Sequence, residues 1–273
     1  MDLGAHWIHA PGDNPLVALA RAAGFQLYDD SERPRLLIKG RSPREGEWEA
    51  FAAALTRAQR AILDAGEAGR EISVAAAMPG NLRDWQATVE FLKGAWDSGK
   101  ETSDISCVDF YNALETRDLF CRQSYGAILA KLAEGLPIRL STAVTRIDWS
   151  GRGVAAETPA GTVRARAAIV TASTSVLAAG AIRFTPALPK RQADAVAALS
   201  CGTYEHLIVH LPGNPLDARP DEAFVVKADT SATAKPLARI GGSDWWYLDI
   251  GGRFARDLAS AGPAAMKAFA SDF

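Results

Sequence analysis

The sequence predicts an α+β protein, with α/β character in one part, whose segments alternate between two intertwined domains. Apolar residues recur at helical spacing through most of 42–135. Strand patterns separated by turn residues follow from 138 to 171, and further strand patterns between 203 and 250 indicate a second, antiparallel sheet. The 273 residues, 48% hydrophobic and 23% charged, leave room for one large domain or two ordinary ones.

The first helices are predicted from their ends as well as from their apolar faces. Asn14 is a suitable N-cap, Pro15 suits the first turn, and Gly24 suits the C-terminal end. Residues 42–45 (SPRE) form a capping-box pattern that predicts the start of a second helix, which would end near Gly66. Its apolar stripe consists of Trp48, Phe51, Leu55, Ala58 and Ile62.

Two more helical stripes precede the strands. The third runs from Leu82 to Trp96, and the fourth from Tyr125 to Leu132. We interpret the tryptophans of these stripes as core residues rather than cofactor contacts, because they lie on the apolar face.

The region after Pro137 has strand and turn patterns. Strands are predicted over 138–149, 154–158 and 162–171, with turns at 151–153 and 159–161. The continuously apolar run 167–170 is typical of a strand covered on both faces. A short helix is predicted after Pro189, strands over 203–211, 223–227 and 245–250, and a last helix from Pro263.

Composition excludes several function classes. The net charge of −2 argues against a nucleic-acid-binding chain. The uncharged stretch 167–182 is shorter than the roughly 20 apolar residues of a membrane helix. Three scattered cysteines (Cys107, Cys121 and Cys201) predict free thiols and a cytoplasmic location. We therefore expect neither a nucleic acid nor a membrane as a partner.

The four histidines form two pairs, His6 with His9 and His206 with His210. The second pair lies in a segment rich in β-branched and aromatic residues, which predicts a strand. Four residues of strand span about 13 Å, too far for two ligands of one ion. We therefore expect no metal site, and no phosphate-binding loop, Gly-x-Ser-x-Gly or Gly-x-Gly-x-x-Gly motif is present.

Two segments resemble the flavin-containing amine oxidases, the family of monoamine oxidases, polyamine oxidases and flavin-dependent histone demethylases. Residues 2–9 (DLGAHWIH), with GDNPL at 12–16, resemble an early segment of that family. Residues 144–148 and 168–172, followed by 176–189, are similar to its middle, including a Gly-x-Ile-x-Phe-x-Pro-x-Leu-Pro string at 180–189. The resemblance is clearest over 2–30 and 120–212.

The resemblance implies FAD as the cofactor and assigns residues to its site. The segment matching Gly4, Ala5, His6 and Trp7 passes close to the isoalloxazine ring in such proteins, and small residues there let the backbone approach it. The strand position matching Val144 offers its backbone to the adenine. Thr171 and Ala172, at the end of the next long strand, would lie near the same nucleotide. For each residue taken alone, a structural role remains the alternative.

Departures from the family pattern concern the ends and one residue. The family's glycine-rich strand–loop–helix fingerprint and its C-terminal FAD segment are not seen, and the chain begins in a motif and ends within a helical stretch. We therefore expect an internal fragment, or a gene model with wrong ends, that binds FAD weakly or not at all and is inactive as given. Many members carry a lysine, bonded through water to flavin N5, at the position of His206. A neutral imidazole can also hold a water or pass a proton, so His206 is the candidate catalytic residue, with an ordinary strand histidine as the alternative.

The resemblance implies oxidation of a small-molecule amine to an imine, with hydride transfer to FAD and oxygen or another acceptor taking the electrons. The alternatives are a non-catalytic interaction module of the same fold, and a related flavoprotein desaturase or isomerase. The predicted domain segments are 1–41 beside FAD, 42–118 as the helical part of the substrate domain, 119–188 in the FAD-binding domain, and 189–273 as the substrate-domain sheet and last helix.

Overall fold

The computed structural model describes residues 2–29, 34–113 and 118–273. The chain divides into two compact units, one formed by Met1–Leu132 together with Gly202–Phe273, and the other by Ala133–Cys201. Helices and strands are mixed in both units, so the predicted α+β class is confirmed.

The strands of the described residues are, in chain order, β1 (Trp7–Ile8), β2 (Leu27–Asp29), β3 (Arg35–Leu37), β4 (Leu119–Cys121), β5 (Arg146–Asp148), β6 (Val154–Thr158), β7 (Gly161–Ala165), β8 (Arg183–Thr185), β9 (Tyr204–His210), β10 (Glu222–Val226), β11 (Lys235–Ala238) and β12 (Trp245–Gly251). The α-helices are α1 (Pro15–Ala22), α2 (Glu47–Glu67), α3 (Val74–Ala77), α4 (Gln86–Phe91), α5 (Cys107–Asn112), α6 (Tyr125–Leu132), α7 (Thr174–Ala178), α8 (Lys190–Ala198), α9 (Gly252–Ala261) and α10 (Pro263–Asp272). A π-helical turn, Leu92–Trp96, continues α4. None of these helices is long and apolar enough to cross a membrane.

Two sheets form the centre of the first unit. The larger has the strand order β3-β10-β11-β12-β9, with β3 parallel to β10 and the other pairs antiparallel. The smaller has the order β1-β4-β2 and is antiparallel. The register of β9 against β12 places His206 directly opposite Asp249.

The helical part of the first unit packs around α2. Its inner face is formed by Phe51, Ala54, Ala58, Ile62 and Ala65, all of which are buried. The predicted stripe is therefore confirmed. The third and fourth predicted helices are confirmed as well, as α4 with its flanking turns and as α6.

The ends of these helices are only partly as predicted. Asn14 caps α1, because its side chain accepts a hydrogen bond from the Leu16 amide at 3.0 Å. The capping box at 42–45 is wrong: α2 begins at Glu47 after Gly46, whose φ of +79° suits glycine. Glu47 instead accepts hydrogen bonds from the Arg41 guanidinium and the Arg44 amide. These bonds lower the pKa of Glu47 to about 2.

The strand predictions differ in quality between the units. In the first unit the strands predicted near 203–211, 223–227 and 245–250 are confirmed as β9, β10 and β12. The predicted helical region 42–135 also contains β4, which was missed because its three residues are continuously apolar and carry no turn signal. The strands β1, β2, β3 and β11 were missed because two to four residues are too few to show an alternating pattern.

The second unit is a four-stranded sheet of order β7-β6-β5-β8, with α7 and α8. Of the predicted strand 138–149, only Arg146–Asp148 forms a strand, and of 162–171 only the part within Gly161–Ala165 does. The prediction that 167–170 is a strand covered on both faces is wrong: these residues are exposed and irregular, with Ile169 91% exposed. The short helix after Pro189 is confirmed as α8.

Candidate functional site

The predicted cofactor segment, Gly4–Trp7, leads into β1. Gly4 and Ala5 are exposed, whereas His6 and Trp7 are half-buried. The His6 Nδ1 atom lies 3.2 Å from the Gly4 carbonyl oxygen, which bends the segment locally. An added Cβ at Gly4 would meet no atom within 4 Å. No described residue therefore requires glycine at this position for space.

The start of this segment is fixed by Asp2. Its carboxylate accepts hydrogen bonds from the backbone amides of Tyr125 and Gly126, both at 2.8 Å, at the N-terminus of α6. The Tyr247 hydroxyl donates to the Asp2 carbonyl oxygen. A carboxylate at a helix N-terminus satisfies unpaired amides, so these contacts hold the segment between α6 and β12.

His206, the candidate catalytic residue, is paired with a buried acid. Its Nδ1 atom lies 2.6 Å from Oδ1 of Asp249 on the neighbouring strand. The side chain of His206 is 9% exposed and that of Asp249 is 1% exposed. The pair is therefore largely removed from solvent. Its geometry is fixed by the β9–β12 register.

Aromatic rings join the segment to this pair. The ring of His6 lies 5.1 Å from that of His206 and 5.0 Å from that of Tyr247, and the rings of His206 and Tyr247 are 4.9 Å apart. Phe120 of β4 stacks on His6 with 5.8 Å between the ring centres. The first unit thus brings His6 and His206, far apart in sequence, into one cluster. We call His6, His206, Tyr247 and Asp249 the histidine cluster.

Burial shifts the pKa of His6 and of two tyrosines beside His206. Desolvation lowers the pKa of His6, which favours its neutral imidazole at neutral pH. Desolvation, with the nearby Asp2 carboxylate, raises the pKa of Tyr247 to about 12. Burial and the neighbouring Asp249 also raise the pKa of Tyr204. His6 and both tyrosines can therefore form hydrogen bonds near a ligand without adding charge.

Trp7 belongs to an adjacent group of aromatic and cationic side chains. The Lys235 Nζ atom lies 3.7 Å from the ring centre of Trp96 and 5.6 Å from that of Trp7. The two tryptophan rings meet edge to face at 5.9 Å. Contacts of this kind stabilise a buried ammonium, and they fix the Trp7 ring beside the histidine cluster.

Two polar atoms of the segment fit a bound flavin. The Nε2 atom of His6 and the Nε1 atom of Trp7 are buried and have no hydrogen-bond partner among the described residues. Buried polar atoms are nearly always paired, so these two atoms are candidates for contact with a bound group, although other described residues, such as Trp246, also have an unpaired ring nitrogen. The isoalloxazine ring carries carbonyl and nitrogen acceptors, which suit the N–H of Trp7. It also carries one N3–H donor, which suits His6 Nε2, because a neutral His6 ring donates through Nδ1 to the Gly4 carbonyl oxygen. The residues present therefore fit FAD.

The other predicted cofactor residues lie in the second unit. Val144 is half-buried and precedes β5, so its predicted place within the strand is wrong. Thr171 is exposed and Ala172 is half-buried, both in the irregular segment before α7. They do not end a strand, because β7 stops at Ala165. Their contact with FAD stays a prediction.

Sequence reasoning missed Asp249, Tyr247 and Phe120. Asp249 is the only charged residue of the apolar strand β12, and an isolated acid in a buried strand is a usable signal, because it needs a partner. The partner itself could not be inferred, since the β9–β12 register depends on tertiary pairing.

A groove of about 960 Å³ lies along β9 and α10. Its walls include Leu207, Val209, Leu248 and Met266, residues that also pack in the core between β9 and α10. Leu207 and Val209 point to the face of β9 opposite His206, as strand alternation predicts. The groove is therefore mainly a feature of the other sheet face.

Three comparisons identify proteins similar to this chain. The profile of the flavin-containing amine oxidoreductases matches residues 1–246. Lysine-specific histone demethylase 2 of Homo sapiens is 38% identical over 118 residues, which are 42% of this chain and 14% of that protein. Polyamine oxidase 2 of Arabidopsis thaliana is 26% identical over 252 residues, covering 77% of this chain and 49% of that protein. The chain spans about half or less of the length of these two relatives.

Solved structures share the fold. A putrescine oxidase with redesigned cofactor binding superimposes with a TM-score of 0.74 at 12% identity, over 99% of this chain and 69% of that one. Cyclohexylamine oxidase from Brevibacterium oxydans IH-35A superimposes with a TM-score of 0.73 at 17% identity, over 100% of this chain and 69% of that one. Because the family profile covers most of its length, this chain belongs to the flavin-containing amine oxidoreductases, whose cofactor is FAD.

Proposed function

We propose that the full-length protein to which this chain belongs oxidises the C–N bond of a small-molecule amine to an imine. The amine loses a hydride from its α-carbon and a proton from nitrogen, and water then hydrolyses the imine to a carbonyl compound and a free amine. FAD, when bound, supplies the hydride acceptor and passes two electrons to oxygen or another acceptor. The observation that carries the proposal is the histidine cluster. It contains the unpaired Nε2 atom of His6 and lies beside the unpaired Nε1 atom of Trp7.

The substrate class is taken from what the similar proteins have in common. Their names include putrescine oxidase, cyclohexylamine oxidase and polyamine oxidase. The compounds in these names are all amines, but they differ in shape. We therefore propose an amine without naming one. The proposed location is the cytoplasm, and the proposed partners include neither nucleic acid nor membrane. These two statements rest on cysteine content and charge.

Each residue has a proposed role. Gly4 and Ala5 let the backbone approach the isoalloxazine ring, while His6 and Trp7 offer ring N–H or nitrogen atoms to its edge. Val144, Thr171 and Ala172 would line the adenosine part of the cofactor. His206 would hold a water near flavin N5, the place of the lysine in many family members. The domain segments 1–41, 42–118, 119–188 and 189–273 stay as predicted.

The reaction is tested on the purified holoenzyme. We expect a yellow protein whose flavin is bleached anaerobically by at least one member of a panel of mono-, di- and polyamines. Admission of air should then restore the colour and release peroxide, or a supplied dye should be reduced instead. A yellow protein that no amine bleaches would favour the desaturase or isomerase, and a colourless one the interaction module.

The role of His206 is tested by His206→Ala in the same holoenzyme. Loss of a group that holds a reacting water should slow reoxidation by roughly 10²–10⁴-fold, because general acid–base groups accelerate reactions by about that factor. Amine binding should change little. His210→Ala is the matched control, because His210 ends the same strand, is exposed, and contacts Trp245 instead of the histidine cluster. Unchanged reoxidation in His206→Ala would make His206 a structural residue.

A further inference from the structure

Asp249 is a buried carboxylate that lies between His206 of β9 and Lys235 of β11 in the register of the sheet. It lies between Leu248 and Ile250 in β12, and its side chain is 1% exposed. Burying such a group without a partner is strongly unfavourable, so Asp249 needs partners in the folded protein. The Nδ1 atom of His206 is one, and the Tyr204 hydroxyl, whose pKa it raises, is another neighbour.

The geometry determines which nitrogen of His206 carries hydrogen. A carboxylate only accepts hydrogen bonds, and Nδ1 lies 2.6 Å from Oδ1 of Asp249. The hydrogen of a neutral ring therefore lies on Nδ1, which leaves a lone pair on Nε2. A hydrogen bond donated by one histidine N–H to a carboxylate fixes the tautomer and the ring orientation in catalytic triads and metal sites.

Neighbouring rings restrict the remaining freedom of His206. Tyr247 and His6 lie against it at 4.9 and 5.1 Å, and Tyr204 meets it edge to face at 5.4 Å. A lysine ammonium presents three hydrogens and needs no such orientation, whereas an imidazole acts through one nitrogen at a time.

We propose that Asp249 is a positioning residue, which holds His206 through Nδ1 so that Nε2 accepts a hydrogen bond from the water near flavin N5. The inference rests on the proposed function, since it concerns the residue that would replace the family's lysine. No proton is consumed in the positioning itself: the hydrogen stays on Nδ1, and Nε2 acts only as an acceptor in the resting state.

The first test observes the hydrogen directly, without activity. The holoenzyme is labelled with ¹⁵N-histidine, and long-range ¹H–¹⁵N spectra report which ring nitrogen is protonated. The chain has four histidines, so assignment by His206→Ala is straightforward. In the unmodified protein we expect Nδ1 to be protonated and Nε2 to be unprotonated. An Nε2-protonated ring would overturn the proposal.

The second test uses Asp249→Asn, which keeps the shape but introduces an amide that can donate to Nδ1. We expect hydrogen on Nε2 and reoxidation at least 10-fold slower, with flavin reduction by the amine changed less than twofold. General damage to the fold would slow both half-reactions instead. Asp244→Asn is the matched control, because Asp244 is exposed in the turn before β12.

The outcomes separate this inference from the proposed function. If His206→Ala slows reoxidation while Asp249→Asn moves the hydrogen but leaves the rate unchanged, the positioning role fails and the role of His206 stands. If the tautomer is as expected but neither variant affects reoxidation, the proposed role of His206 fails and the inference fails with it. Slower reoxidation in both variants, with the hydrogen moved in Asp249→Asn, supports both.

Discussion

The two units bury their apolar residues to very different extents. In the first unit every residue of β12 after Trp245 is buried, and Trp246 and Phe224 are at most 2% exposed. In the second unit Ile147 is the only hydrophobic residue of the described part that is buried. Its large exposed apolar residues are Leu136, Ile138, Leu140, Trp149, Val163, Ile169, Val170, Val176 and Leu199.

This difference shows what an apolar pattern does and does not predict. Alternation and apolar runs predict which residues can be covered, but not which segment covers them. In the first unit, α9 and α10 pack against β9 and β12. The strands β9, β10 and β12 form as expected. In the second unit the run 167–170 has the composition of a covered strand but is exposed. Its apolar residues therefore do not contribute burial energy to this fold.

The largest effect is expected from paired truncations in the two units. Phe224→Ala removes a fully buried ring stacked on Trp246 and should lower the free energy of unfolding by about 3–5 kcal/mol. Ile169→Ala should change it by less than about 0.5 kcal/mol, because Ile169 is exposed. Denaturant unfolding followed by tryptophan fluorescence measures both. Equal losses of unfolding free energy in the two variants would contradict the conclusion that the two units bury their apolar residues to different extents.

A second contrast compares two glycines of the first unit. A Cβ at Gly251 would lie 1.8 Å from the Ala95 carbonyl oxygen, so Gly251→Ala should cost about 1–3 kcal/mol or more. Gly4→Ala meets no atom and should leave unfolding unchanged. If Gly4 lets the backbone approach the flavin, Gly4→Ala should still weaken FAD binding, as measured by flavin release from the holoenzyme. Unchanged release would remove that role.

A smaller effect is expected at Asp2. Asp2→Ala removes the acceptor for the Tyr125 and Gly126 amides and should cost about 0.5–2 kcal/mol, as the loss of a helix cap does. Thermal unfolding measures this loss, and Asp13→Ala, an exposed acid before α1, is the control. A loss no larger than in the control would mean that the segment is held by other contacts.

The smallest effect concerns pH and the corrected start of α2. The bonds from Arg41 and Arg44 lower the folded-state pKa of Glu47 from 4.5 to about 2. A lowered pKa means that the contribution of Glu47 to stability is complete above pH 4.5 and is lost as the pH falls toward 2. Glu47→Gln should therefore flatten the dependence of stability on pH in that window alone. An unaltered pH dependence would show that these bonds do not persist in solution.

Particular residues show how far the sequence could lead. Asn14 and Pro15 begin a helix through local chemistry, which the sequence contains, and α1 was predicted correctly. Residues 42–45 have the same kind of local signal, yet the ion pair of Arg41 with Glu47 moves the start to Glu47. His206 could be selected by resemblance, but its pairing with Asp249 depends on the register of β9 and β12, which no local pattern specifies.

A crystal structure of the FAD-loaded holoenzyme tests the central claim most directly, that the histidine cluster faces the flavin. We expect the isoalloxazine ring to lie against Gly4–Trp7, with one water between N5 and Nε2 of His206, so that these two nitrogens are about 5 Å apart. The Nε2 atom of His6 should have gained a partner. An isoalloxazine ring bound away from this segment, with His206 touching only protein atoms, would contradict the account.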